Sequence, residues 1–363
     1  MKPVLDAILR DDAPFVARKL DLDPRLAKKP QLLQTAARFA RPRCLALLLD
    51  RGADPNATFR GYRPLHSLIQ EKPHGSSTIP ARDRVRCTDL LLARGADPAQ
   101  LSAFPPARAL LIAAFSGEMD FVARLLAIAP DGDVYARAAL GDSARVRAHL
   151  LKDAGLARAR DAGGLTALQC AAASRAGVES PATARKLLEV ARLLLDAGAD
   201  PNARTRSWSH EVDVAYFAAS TRNAPMLRLL LERGADATAA LPSAAWNDTA
   251  LAAITLEHGA RIDRATDGGK PLLNQLVRWG QIAPALWLVA QGASPDRPDD
   301  RGWTAVHQAA SRGNARMLAA LLDAGGDAAK KDREGKTPVD VARAGGKQAM
   351  LAVFARSSAR AGR

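Results

Sequence analysis

The sequence predicts an all-α solenoid: a row of about ten to eleven helix-turn-helix units with short β-turn fingers along one edge. Three observations carry this. Gly259, Gly292 and Gly325 stand 33 residues apart, and Gly269, Gly302 and Gly335 keep the same interval. Between those glycines, apolar residues recur at i, i+3, i+4 twice over, as two short amphipathic helices require. The 48% hydrophobic share comes mostly from Ala and Leu, with 4% aromatic, which suits stacked small helices better than one large core.

The stretch 299–327 shows the unit most clearly. Thr304 suits a helix start, because its hydroxyl can accept from the orphan N–H groups of the first turn. Val306, Ala309 and Ala310 make one apolar face, and the small alanines let a neighbour come close. Gly313-Asn314 breaks the helix, then Leu318, Leu321 and Leu322 repeat the spacing on a second one. Gly325 follows where a helix stops in the left-handed conformation, cheap only for glycine. A lone pair of this length cannot bury both faces, so it needs copies on either side. The run from Gly302-Trp303-Thr304-Ala305-Val306-His307 to Leu321-Leu322 and Gly325-Gly326-Asp327 resembles one ankyrin repeat. That family's pattern is a tight turn, Thr-Pro-Leu-His-x-Ala-Ala, a second helix ending Leu-Leu, and Gly-Ala-Asp.

Taken in order, residues 1–29 read as an N-terminal cap unit, with stripes at Leu5, Ile8, Leu9 and at Val16, Leu20, and a wet outer side of Lys19, Arg25, Lys28 and Lys29. The internal repeats run over 31–334. The second closes at Leu47–Asp54. The third begins at Gly61, carries Pro64-Leu65-His66, and is lengthened by an expected loop at 70–83. Units near 106–131 and 133–160 keep their stripes, the latter through Val146, Leu150 and Leu151, but lose the Gly-Ala-Asp ending. The sixth recovers it at Gly198-Ala199-Asp200, with an insertion at 174–184. The seventh carries extra residues at 205–212, in its finger. The eighth is shortened, Gly234 to Gly259 spanning only 25 residues. Residues 335–363 read as a C-terminal cap with a basic tail. The expectation is one solenoid over 1–363.

Net charge is +14 and the pI about 10.2, from arginines spread along the whole chain. A solvated helix surface explains this, and an acidic partner or a polyanion such as nucleic acid is the sharper alternative. Cys44, Cys87 and Cys170 show no pairing or metal spacing and suit buried thiols in a reducing compartment. No signal peptide and no membrane-spanning run is visible, so a cytoplasmic location is expected, with delivery into a host cell left open. The Ala-Arg-Leu bias resembles proteins of GC-rich bacteria.

Chemistry is sparse. There is no phosphate loop, no His-Glu-x-x-His and no nucleophile elbow. The expectation is therefore a non-catalytic protein without cofactor or metal. The resemblance gives His66 and His307 a structural role, hydrogen-bonding neighbouring turns. It also implies binding of a protein partner by finger tips and the inward side of the first helices. Carried over by position, the partner-binding candidates are Phe59, Arg60 and Tyr62; Ala162 and Leu165; Trp208 and His210; Arg301 and Trp303; and Glu334 and Lys336. Trp303 reads equally as a residue folded over its own finger. Trp279 and Trp287 fall in helical patterns and are expected in the core. The leading function is a monomeric scaffold for a protein partner, whose acidic character the basic charge would favour; the alternatives are an electrostatic binder of nucleic acid or another polyanion, a regulatory subunit of an enzyme, or a host-directed bacterial effector.

Overall fold

The computed structural model describes residues 1–70, 79–102, 106–128, 132–178, 180–207, 210–264, 266 and 269–361. Among them, eleven helix pairs follow one another, from Lys2–Leu9 with Ala13–Leu22 to Pro338–Ala344 with Gln348–Ala361. The fold is the expected all-α ankyrin type. The chain divides into two compact units, Met1–Phe217 and Ala218–Arg363.

Local chemistry sets the boundaries. Proline opens the helices Pro30–Arg38, Pro42–Asp50, Pro181–Asp196 and Pro338–Ala344, where its missing N–H costs nothing. Asp12, Asp142, Asp236 and Asp248 cap others by accepting from the first turn. Capping boxes pair Thr166 with Gln169, Thr304 with His307 and Thr337 with Asp340.

In Met1–Phe217 the first helices of successive pairs pack on each other from Lys2–Leu9 through Pro30–Arg38, Pro64–Gln70, Ala109–Ser116 and Val134–Ala139 to Ala167–Ala173. Second helices pack likewise, Ala13–Leu22 on Pro42–Asp50 on Ala81–Ala93. The core is the seam between them: Ile8, Leu20, Leu33, Leu48, Leu68, Leu91 and Ile112 are all at most 1% exposed. Polar cement joins neighbours. The Asp11 carboxylate accepts from the N–H groups of Arg43 and Cys44 (3.3 and 2.8 Å), capping the next pair's second helix. In Ala218–Arg363, Leu272–Arg278 packs on Ala305–Arg312 and that on Pro338–Ala344, with Ile282–Ala290, Ala315–Asp323 and Gln348–Ala361 stacked beside them.

Several expectations need correction. The insertion expected at 70–83 shrinks: 71–78 lie outside the described residues, and Ala81–Asp83 already form the first turn of Ala81–Ala93. The one at 174–184 ends early, because Pro181–Ala184 begin the sixteen-residue helix Pro181–Asp196. Leu151 is 82% exposed and outside the core stripe. Trp279, expected inside, is 63% exposed; it caps the end of Leu272–Arg278, past the last residue that faces the stack. The eighth unit is short because it has no finger: Asp236 accepts from Thr238 and Ala239 N–H, so Ala237–Asn247 starts at once. The three cysteines are free and buried, and burial pushes the thiols of Cys44 and Cys87 up to about 12.

Candidate functional site

Three fingers share one construction. At Asp161, Asp299 and Asp332 the carboxylate folds back on its own turn and accepts from two backbone N–H groups, two and four residues ahead (2.8–2.9 Å). The backbone N–H of each aspartate also donates to the carbonyl four residues on: Leu165, Trp303 and Lys336. Gly164, Gly302 and Gly335 take positive φ at the fourth position, which lets the turn close. These carboxylates are therefore spent on local structure. The fifth position is what each finger presents.

The three fifth positions diverge. Leu165 is 2% exposed and faces the stack, so it leaves the binding surface expected of it; a leucine at a turn end beside an apolar layer buries itself. Lys336 is exposed and pairs with Glu334 at 2.8 Å. Trp303 is half-buried. Its Nε1–H donates to Asp332 Oδ2 (3.0 Å), one face stacks on His307 (6.0 Å, 24° between planes), and the Arg301 guanidinium lies 4.4 Å from its centroid. Arg301 O accepts from Arg333 N–H at 3.0 Å, so the two fingers are joined twice. Trp303 thus reaches across to the next finger and does not fold over its own.

His307 completes the arrangement. Thr304 N–H donates to Nδ1 (3.2 Å), which leaves the proton on Nε2, facing Lys336 O at 3.2 Å. Burial lowers its pKa, against the upward pull of the Lys336 carbonyl, so the ring stays neutral. Asp332 feels burial pushing it up, but hydrogen bonds from Lys336, Glu334 and Trp303 win and hold it below the usual carboxylate range.

Over this floor lies a cleft of about 400 Å³. Trp303, Val341 and Ala344 give it an apolar wall, while Asp300, Arg301, Arg333, Glu334 and Lys336 line it with charges of both signs. Such a cleft suits an apolar side chain with a charged group beside it. Among the described residues no cluster of His, Cys, Asp or Glu could hold a metal, and no helix is long and apolar enough to cross a membrane.

The remaining candidates scatter. Phe59 and Tyr62 exchange backbone hydrogen bonds (2.9 and 3.1 Å) around Arg60-Gly61, and the Arg60 guanidinium lies 5.4 Å from the Phe59 ring centroid. Tyr62 is half-buried, with no cleft described there. Of the residues 205–212, Thr205–Ser207 pair antiparallel with His210–Val212. His210 sits in that strand by register with Ser207, and Trp208 lies outside the described residues. Thr205 Oγ1 donates to Gly164 O at 3.2 Å, tying this finger to the one before.

Sequence reasoning missed two residues in the histidine slot. Gln169 Nε2 donates to Ala203 O (2.9 Å), and Asn274 Nδ2 donates to Trp303 O (2.7 Å). Each stands three residues after its helix cap, as His66 and His307 do. That offset was the available signal.

Family models agree with the construction. One described as ankyrin repeats (many copies) matches residues 288–342, and one described as ankyrin repeat matches 163–206. Among solved structures, the ankyrin repeat domain of human ASB11 is similar over 61% of this chain and 97% of that one, at 20% identity and a TM-score of 0.47. No curated protein matches the sequence.

Proposed function

The chain is an ankyrin-repeat protein, and from that premise we propose that it binds a protein partner through the cleft over Trp303. Ankyrin repeats are in general protein–protein interaction modules. One observation carries the choice of surface. The Trp303 indole is fixed between Arg301 and His307 and tied to Asp332, so its exposed edge is ordered before any partner arrives. An anchor already immobilised loses little entropy on binding, and Trp with Arg is enriched among residues that dominate interfaces. The partner inserts an apolar side chain against Trp303 and Val341, with a carboxylate reaching Arg301 or Arg333. Phe59, Arg60, Tyr62, Trp208 and His210 remain part of the proposed finger surface; Leu165 does not.

The test begins with proteins that co-purify with the full chain from its native source, identified by mass spectrometry. The affinity of the recovered partner is then compared for the native chain and an Arg301→Glu/Arg333→Glu variant. Charge reversal at the mouth leaves the Trp303–Asp332 bond intact, and affinity should fall at least about tenfold. Equal affinity would remove this cleft from the interface. Steep salt dependence together with DNA or RNA as the co-purifying species would instead favour the polyanion reading.

A further inference from the structure

The loops joining first to second helix in Ala218–Arg363 lie at the opposite end of the first helices from the fingers. Ala305–Arg312 separates the two ends by about 12 Å, at 1.5 Å per residue. Trp246, Trp279 and Arg312 stand at the same register there, 33 residues apart. The two tryptophans are 43% and 63% exposed. Arg278 stands 6.0 Å from the Trp279 ring centroid. Arg312 and Lys347 are exposed and enter no salt bridge among the described residues. The Lys347 side chain crosses so close to Gly313 that a Cβ there would stand 3.4 Å from Cδ, so Arg312 and Lys347 belong to one strip.

Carboxylates are sparse here: the loop at Trp246 holds Asp248, whose side chain caps the next helix by accepting from Ala250 N–H. Residues 278–282, 311–315 and 344–348 contain no Asp or Glu. Three corresponding loops of Met1–Phe217 do contain them, and they are occupied: Asp11 caps Arg43 and Cys44, Glu118 pairs with Arg84 at 3.1 Å, and Asp142 pairs with Arg137 and Arg145. The loop 38–42 has none, and there Arg38 lies 5.5 Å from the centroid of the half-buried Phe39 ring. Trp279 is thus an exposed indole one repeat away from cations that enter no salt bridge among the described residues. Indole surface attracts an apolar side chain, and the free cations select carboxylates next to it.

We propose that the Trp279–Arg312–Lys347 strip is a second docking surface, for an acidic segment of a partner protein that carries leucine or aromatic side chains. It goes beyond the cleft over Trp303 and shares no residue with it.

The full chain is titrated, by fluorescence anisotropy, with a short fluorescein-labelled peptide of alternating Glu and Leu. A Lys/Leu peptide and a single-stranded DNA of matched length serve as competitors in charge and class. The Glu/Leu peptide should still bind an Arg301→Glu/Arg333→Glu chain, whose finger cleft repels carboxylates, and in that background Trp279→Ala and Arg312→Glu should each weaken it about tenfold. Both strip positions are exposed, and matched melting curves would show that the variants fold. No binding of the Glu/Leu peptide, equal binding of the Lys/Leu peptide, or undiminished binding to both strip variants would overturn the proposal. So would DNA bound more tightly and unaffected by Trp279→Ala. Loss of all binding in Arg301→Glu/Arg333→Glu would move the peptide to the finger cleft and also overturn it.

Discussion

At residues 59–62 the chain reverses through Arg60 and Gly61, both left-handed (φ 52° and 82°), between one pair of backbone hydrogen bonds. At residues 299–303 it spends one more residue, anchors the turn on a buried aspartate, and hands its last side chain to the neighbouring finger. Both fingers carry an aromatic and an arginine, and both read alike in sequence. The first holds its aromatic only by its own strand ends. The second holds Trp303 from three sides. All three rings are half-buried, and what separates the anchor from the others is the next repeat: Asp332 is there to accept from Trp303, and no such bond is described for Phe59 or Tyr62.

Truncation should expose that difference first. Trp303→Ala removes the stacked ring and leaves the buried Asp332 short of a donor, a loss of about 3 kcal/mol. Tyr62→Ala should stay within about 1 kcal/mol. Urea unfolding of both variants checks the ratio, and similar costs would erase the contrast.

The histidine slot gives the next effect. His307 is bonded on both nitrogens, whereas neither nitrogen of His66 makes a hydrogen bond of good geometry, although the Gln100 backbone is near enough to favour its charged form. Burial lowers His66 to about 4. An unfolded histidine takes its proton near 6.5. Between those values the unfolded chain binds more protons than the folded one. The stability is therefore complete above about 6.5 and falls as pH drops toward about 4, by up to about 3 kcal/mol. His66→Asn, the residue that fills this slot at position 274, should flatten the dependence while His307→Asn flattens it less. Denaturation midpoints across that window decide it; parallel curves would refute it.

The smallest effect is at Arg60. A non-glycine residue at φ 52° carries about 1 kcal/mol of strain, and Asn tolerates that region better. Arg60→Asn should raise the melting temperature by a few degrees, while the same change at Arg301, which has no positive φ, should not.

Much of this was legible in advance. The doubled 33-residue interval gave the pairs, the fingers and the short eighth unit, because each repeat needs its glycine at a fixed backbone position. Arg301, Trp303 and Lys336 were proposed by position alone, and the structure brings them to the lining of one cleft. Leu165 was misplaced because a finger's fifth residue faces inward or outward according to its own chemistry. Trp279 was misplaced because helical spacing cannot tell the last buried turn from the first residue beyond it. Gln169 and Asn274 escaped notice because the slot was sought by histidine and the geometry asks only for a donor.

Periodicity by itself determined that these helices stack, since a short amphipathic pair has nowhere else to hide its apolar faces. Only the tertiary structure decided which side chains meet across repeats, Trp303 with Asp332 and Lys347 with Gly313. Those residues are about one repeat apart in sequence, and the spacing fixes that neighbours touch without saying through which atoms.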